Sequence, residues 1–243
     1  MTMFPRNLYA VGRDGNVGMA VPLLDSWTNL GNLGGWTLRM IARAPNGWVY
    51  GVGSQGNVGM AVPLLDSWTN LGNLGGWTLR MIARAPNGWV YGVGSQGNIG
   101  VWDGTRWAEQ AAMNSWAVKM IAWAPDGTPW CVGMDGNVGS WGEYGWKDQG
   151  SLGGWTLKML AFDASGVMYG VGTEGNIGTW LTGKWCDAHL GTWTLDMVTF
   201  DPGGVAWCVG TGGNVGQWDG AEWGNVGNLA SWNMAWLYFM PAQ

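Results

Sequence analysis

Charge is scarce in this chain, and positive charge is scarcer still. Only 11% of residues are Asp, Glu, Lys or Arg, 11 cations face 16 acids, and the formal net charge is −5 at pH 7. Proteins that track phosphates draw their affinity from clustered cations, so nucleic acid is not expected as a partner. The three cysteines, Cys131, Cys186 and Cys208, are too few and too scattered for a disulfide framework, and no C-x-x-C pair is present to hold zinc. They read as small buried hydrophobes. No run of about 18 apolar residues occurs, so membrane insertion is not expected. The start, Met1-Thr-Met-Phe-Pro-Arg6, lacks the charged and then apolar pattern of a secretion signal. A cytoplasmic or non-classically released protein is the corresponding expectation.

Catalytic groups are equally thin. The one histidine, His189, precedes Leu190-Gly-Thr-Trp193 in a single connecting segment. No Ser or Cys carries a nucleophile motif. Asp14, Asp135 and Glu174 occupy equivalent places in different repeats, which keeps them apart rather than pairing them for acid–base work. The chain is therefore expected not to be an enzyme, and to use neither a cofactor nor a metal. Gly51-Val-Gly53-Ser-Gln-Gly56 satisfies G-x-G-x-x-G, but a strand follows where a dinucleotide site needs a helix.

What the chain has in abundance is Gly and Trp, 45 and 22 of 243 residues, with 47% hydrophobic residues. Internal repetition organises them. Residues 15–57 recur unchanged at 56–98, and the copies first differ at Val58 against Ile99. The tag Gly-Asn-[Val/Ile]-Gly returns at Gly15, Gly56, Gly97, Gly136, Gly175 and Gly213, giving six units spaced 38–41 residues apart. A second column runs through Trp36, Trp77, Trp116, Trp155, Trp193 and Trp232. The units fill residues 1–243 as a single domain.

Each unit holds four strand-like runs divided by turn signals. In one copy these are Trp36–Arg43, Trp48–Val52, Asn57–Ala61 and Ser67–Leu71, separated by Ala-Pro-Asn-Gly, Gly-Ser-Gln-Gly and a longer connection containing Pro63. No segment sustains the three- and four-residue apolar steps of a helix. The expected fold is all-β, a six-bladed β-propeller with four antiparallel strands per blade. The chain ends complement one another: Pro5–Gly12 matches the start of a second strand, and Trp232–Pro241 is an innermost strand with nothing after it. Pairing the C-terminal innermost strand into the N-terminal blade closes the ring and removes an open sheet edge.

Packing between blades accounts for Trp48, Trp89, Trp130 and Trp207 in the second strands. The pairs Trp102/Trp107, Trp141/Trp146, Trp180/Trp185 and Trp218/Trp223 flank tight turns and read as cross-strand or outer-rim residues, with packing their expected role and presentation to a ligand the alternative. Loops of an antiparallel blade alternate between two faces. One face receives the second hairpins and the inter-blade linkers, so each boundary there gathers Gly backbone, an Asn amide and a Trp ring. Neutral hydrogen bonds beside an indole suit a sugar. The candidate binding residues are Asn16, Asn32, Gly34, Gly35, Trp36 and Asn57, then Asn73, Gly75, Gly76, Trp77 and Asn98, then Trp116 and Asn137. Gly153, Gly154, Trp155 and Asn176 follow, then Trp193, Asn214, Asn228 and Trp232. Gly-Asn is also an ordinary hairpin turn in which Asn serves the backbone, and the Trp at each first strand is also a cap for the core. The column Arg39, Arg80, Lys119 and Lys158, continued by Asp196 and Ala235, faces the channel or a neighbouring blade, with anion binding one option.

The run Gly154-Trp155-Thr-Leu-Lys-Met-Leu-Ala-Phe162-Asp-Ala-Ser-Gly166-Val-Met-Tyr169-Gly-Val171, with Phe200-Asp-Pro-Gly-Gly204-Val, resembles the repeat of tachylectin-2-like propeller lectins and, more loosely, tectonin-type lectins. The units here are shorter and more numerous. That resemblance implies a multivalent, non-enzymatic lectin taking N-acetylhexosamines such as N-acetylglucosamine between adjacent blades, with glycans or glycoconjugates as partners. The alternative from the residues themselves is a scaffold for protein contacts, or self-association, through the apolar loops Ala20–Leu24 and Ala61–Leu65.

Overall fold

A computed structural model describes residues 8–21, 26–31, 35–43, 48–61, 69–72, 77–150, 154–181, 184–188, 192–227 and 233–239. They form six four-stranded antiparallel sheets arranged as the blades of a propeller. The first blade contains β24 (Met234–Phe239), β1 (Leu8–Gly12), β2 (Val17–Val21) and β3 (Ser26–Gly31). The second is β4 (Leu38–Arg43), β5 (Val49–Gly53), β6 (Val58–Ala61) and β7 (Thr69–Gly72). The third is β8 (Leu79–Arg84), β9 (Val90–Gly94), β10 (Ile99–Trp102) and β11 (Trp107–Glu109). The fourth comprises β12 (Val118–Trp123), β13 (Pro129–Gly133), β14 (Val138–Gly142) and β15 (Gly145–Gly150), preceded by a 3-10 turn at Ala111–Ser115. The fifth is β16 (Leu157–Phe162), β17 (Met168–Gly172), β18 (Ile177–Leu181) and β19 (Lys184–Asp187). The sixth is β20 (Leu195–Phe200), β21 (Ala206–Gly210), β22 (Val215–Trp218) and β23 (Trp223–Gly227).

Closure occurs where the chain ends predicted it. Strand β24 pairs antiparallel with β1, matching Ala10 to Leu237 and Tyr9 to Tyr238. The innermost strands then pack on one another in ring order, β24 on β4, β4 on β8, β8 on β12, β12 on β16, β16 on β20 and β20 on β24.

An innermost strand turns one edge to the axis, where its N–H groups lack a ladder partner. Methionine supplies one. The amides of Ile82, Leu160, Val198 and Leu237 donate to the sulfurs of Met40, Met120, Met159 and Met197 in the preceding blade, at 3.3, 3.1, 3.3 and 3.1 Å. The flexible thioether lines the axis and serves as a weak acceptor there.

The repeated tag has a structural reading at each end. Gly97 has φ +88°, and a Cβ on it would lie 2.6 Å from Val118 N and 2.8 Å from Ala117 C in the next blade. Its carbonyl accepts the Val118 amide at 2.9 Å. Equivalent bonds join Gly15 to Leu38, Gly56 to Leu79, Gly136 to Leu157, Gly175 to Leu195 and Gly213 to Met234. The last Gly of the tag makes room for an indole: a Cβ on Gly100 would lie 3.1 Å from the ring of Trp77.

Among the described residues, aromatic contacts at four blade boundaries join the second strand of one blade to the end of the next innermost strand. Tyr91 meets Trp123 at 4.8 Å between centroids, Trp130 meets Phe162 at 6.2 Å, Tyr169 meets Phe200 at 4.8 Å and Trp207 meets Phe239 at 5.8 Å. At the outer edge Trp102 pairs with Trp107, Trp141 with Trp146, Trp180 with Trp185 and Trp218 with Trp223 across adjacent strands. The four second-strand tryptophans do not share one position, however. Trp130 and Trp207 align with Tyr50, Tyr91 and Tyr169, whereas Trp48 and Trp89 precede their strands by one residue. Trp207 is fully buried, but Trp89 is 57% exposed, because it stands beyond the end of the seam.

Candidate functional site

Gly35, Trp36, Thr37, Gly53, Ser54, Gln55 and Asn57 line a cleft of about 210 Å³ on the hairpin face of the second blade. Three expected binding residues, Gly35, Trp36 and Asn57, therefore converge. All lining groups belong to one blade and the linker entering it, so the cleft does not straddle two blades. The boundary beneath is closed by backbone, since Gly15 of the first blade accepts the Leu38 amide at 3.2 Å and sits against Thr37. Ser54 N–H donates to the Thr37 carbonyl at 2.7 Å, fixing the cleft floor. No ionisable side chain lines it.

The Trp column caps the sheets, and its rings stay partly open to solvent. A Cβ on Gly53 would come within 3.3 Å of the Trp36 indole, so that ring lies over its own sheet, yet Trp36 remains half-buried. Trp77, Trp116, Trp155 and Trp193 lie similarly on Gly94 and Gly100, Gly139, Gly178, and Gly210 and Gly216, and each is half-buried.

The asparagines divide into two groups. Asn57, Asn98 and Asn176 fold their amide oxygens back over Gly53, Gly94 and Gly172. In the first and fourth blades a carboxylate takes that place: Asp14 and Asp135 sit against Gly12 and Gly133. Asp14 accepts both N–H groups of Asn16, at 3.1 Å from the backbone and 2.7 Å from the side chain. Asp135 accepts the Asn137 backbone amide at 3.0 Å. Asn214 is half-buried at the corresponding turn of the sixth blade, and Gly154 is exposed at the entry to the fifth. Asn32, Gly34, Asn73, Gly75, Gly76, Gly153, Asn228 and Trp232 lie outside the described residues, as do His189 and the apolar loop positions 22–25 and 62–68.

A larger cavity was not foreseen. The axial channel opens on the opposite face as a space of about 610 Å³, walled by Met40, Met81, Met120, Met159 and Met197 and rimmed by Arg84, Trp123, Phe162, Phe200 and Phe239. Tyr238 stands where other blades carry Ala or Thr, and its hydroxyl accepts the Arg43 amide at 3.1 Å. Burial raises the Tyr238 phenol above its usual range, an effect opposed by the Arg43 amide and by the Arg84 and Arg43 charges.

Two thiols behave as buried hydrophobes. Burial pushes Cys131 up to about 12 and Cys208 higher still. Among the described residues no three His, Cys, Asp or Glu side chains group to hold a metal ion, and no helix is long and apolar enough to cross a membrane.

No protein-family profile and no curated protein sequence matches the chain. Solved structures do. A structure described as YCF48 bound to D1 peptide aligns at TM-score 0.62 and 14% identity over 91% of this chain and 78% of its own. A streptogramin B lyase aligns at TM-score 0.61 and 11% identity over 100% of this chain and 86% of its own. A protein of unknown function from Bacteroides caccae aligns at TM-score 0.67 and 10% identity, covering 96% and 98%. At such identities the likeness speaks for the fold alone.

Proposed function

We propose that this propeller is a non-catalytic, multivalent carbohydrate-binding protein whose hairpin-face clefts take neutral hexoses of the N-acetylhexosamine class, N-acetylglucosamine among them. The observation that carries the reading is the convergence of a half-buried indole, Trp36, with Thr37, Ser54, Gln55 and Asn57 around an uncharged cleft of about 210 Å³. An apolar sugar face or acetamido methyl lies against indole while hydroxyls meet neutral donors and acceptors. The resemblance of the repeat to tachylectin-2-like lectins supports the same class. Single shallow clefts are weak, but several on one rigid face raise avidity by about 10²–10⁴ on a matching glycan surface.

The test is titration of the protein with N-acetylglucosamine, followed by indole N–H shifts in NMR, together with a glycan array. Trp36→Ala is expected to abolish the response of its own cleft and leave the other clefts responsive. Absence of any sugar response in both measurements would overturn the reading.

A second reading rests on the axial cavity. It is apolar and roomy, and YCF48 is a matched fold with a bound peptide. An apolar peptide that perturbs Trp236, with no sugar response anywhere, would move the function to peptide binding.

A further inference from the structure

Five of the chain's 11 cations gather at the hairpin-face ends of the innermost strands in a molecule of net charge −5: Arg39, Arg80, Lys119 and Lys158 share one register position, and Arg13 reaches it through Asp196. A backbone device puts four of them there. Every innermost strand is paired with an irregularity at the same place: Leu38 faces Gly53 and Met40 faces Val52, leaving Arg39 unpaired between them. The same skip isolates Arg80, Lys119, Lys158, Asp196 and Ala235. Such a bulge re-aims a side chain. Leu38 and Met40 on either side are buried while Arg39 is exposed.

The ring is compensated on one side only. Asp196 binds Arg13 at 2.6 Å and Lys158 at 3.0 Å, clamping the fifth, sixth and first blades. Arg39, Arg80 and Lys119, on the second, third and fourth blades, form a crescent. Among the described residues no carboxylate lies within ion-pairing distance of them, including the hairpin acids Asp14, Asp135 and Glu174. Arg80 is steadied by the Ser95 carbonyl at 3.0 Å. Desolvation and the charges of Arg80 and Lys158 hold the Lys119 ammonium below its usual range. Arg80 thus lies near enough to disfavour the charge on Lys119, and like charges left unneutralised favour an incoming anion.

We infer that the crescent Arg39, Arg80 and Lys119 binds a tetrahedral oxyanion, a sulfate or phosphate ester, carried by the sugar in the adjoining cleft. Three donors arriving from three blades suit an anion with several divergent oxygens, and guanidinium groups engage such oxygens in pairs. Continuity with the cleft is built into the entry to β4: Thr37, just before the strand, lines the cleft and Arg39 follows two residues later. The inference as to the oxyanion's bearer rests on the carbohydrate reading; the anion site itself does not.

The experiment titrates wild type, R80Q, K119Q and the outer-edge control R106Q with inorganic sulfate, inorganic phosphate, N-acetylglucosamine and N-acetylglucosamine 6-sulfate, by NMR at low salt, with circular dichroism confirming that each variant is folded. The expected result is about tenfold tighter binding of the sulfated sugar than of the neutral one, the scale of one charge-assisted bond. That gain disappears in R80Q and K119Q and persists in R106Q. Neutral and sulfated sugars binding equally would overturn the crescent and leave the carbohydrate reading standing. Inorganic sulfate or phosphate binding, sensitive to R80Q, with neither sugar bound, would uphold the anion site and overturn its carbohydrate bearer. No response to any anion would overturn the inference entirely.

Discussion

Replacing Gly97 by Ala tests the seam between the third and fourth blades. The left-handed backbone, φ +88°, costs an L-residue about 1–2 kcal/mol. Reduced freedom of the unfolded chain returns about 0.4–1 kcal/mol. The decisive contribution is steric. The new Cβ would lie 2.6 Å from Val118 N, 2.8 Å from Ala117 C and 2.9 Å from Ala117 Cα. All three are backbone atoms, so a blade must shift. That shift stretches the Val118 N–H···O Gly97 bond, now 2.9 Å, and disturbs the fully buried Val118. Overpacking of this kind costs about 1–3 kcal/mol, so the total is expected near 3 kcal/mol, a fall in Tm of roughly 6–12 °C for a chain of this size. Two controls separate the causes. Gly104, at φ +101° with nothing within 4 Å, carries the strain without the collision. Gly212 carries neither. Urea denaturation of the three Ala variants should rank Gly97 well below Gly104, and Gly212 at or above wild type. Equal losses for Gly97→Ala and Gly104→Ala would refute close approach of the blades as the reason for glycine.

The remaining predictions concern the axis and the outer turns. Met120→Leu keeps the volume but removes the acceptor for Leu160 N–H, now 3.1 Å away; the expected loss is about 1 kcal/mol, with faster amide exchange at Leu160, and unchanged exchange would remove the sulfur's role. In the Trp102–Trp107 turn, the amides of Arg106 and Thr105 and the Thr105 hydroxyl donate to Asp103, each at 2.8 Å, and bring its carboxyl from 3.8 down to about 2. A folded value below the unfolded one stabilises at higher pH and is lost as pH falls from about 4 towards 2. A carboxyl carbon titration should place the Asp103 midpoint near 2, and a midpoint near 4 would contradict these bonds.

Much of the fold is local and repetitive, which is why it is readable. Gly-Asn tags recur every 38–41 residues and Gly-containing turns punctuate the strands between them, and the unmatched strand at each end leaves ring closure as the way to pair both. The indole pairs such as Trp102 with Trp107 follow from turn length. The cleft was half legible. Trp36 and Asn57 stand out as recurring residues, while their grouping with Ser54 and Gln55 depends on how far the hairpin leans over the linker. Trp48 and Trp89 were harder to place, because an aromatic next to a turn has the same local signature whether it enters the seam or passes beyond it.

The sequence by itself determined the number of units, the strand order within each and the partner of each chain end, because these depend on local periodicity and on leaving no strand unpaired. Only the tertiary structure decided where the cations point and which remain unpaired. A bulge on the inner strand turns Arg39, Arg80 and Lys119 out of the blade interface, and the adjacent apolar residues Met40 and Ile41 are its one local trace. Arg13 meets Asp196 across 183 residues only because the ring brings the first and sixth blades together. Charge balance at the axis is a property of that closure, which no window of sequence contains.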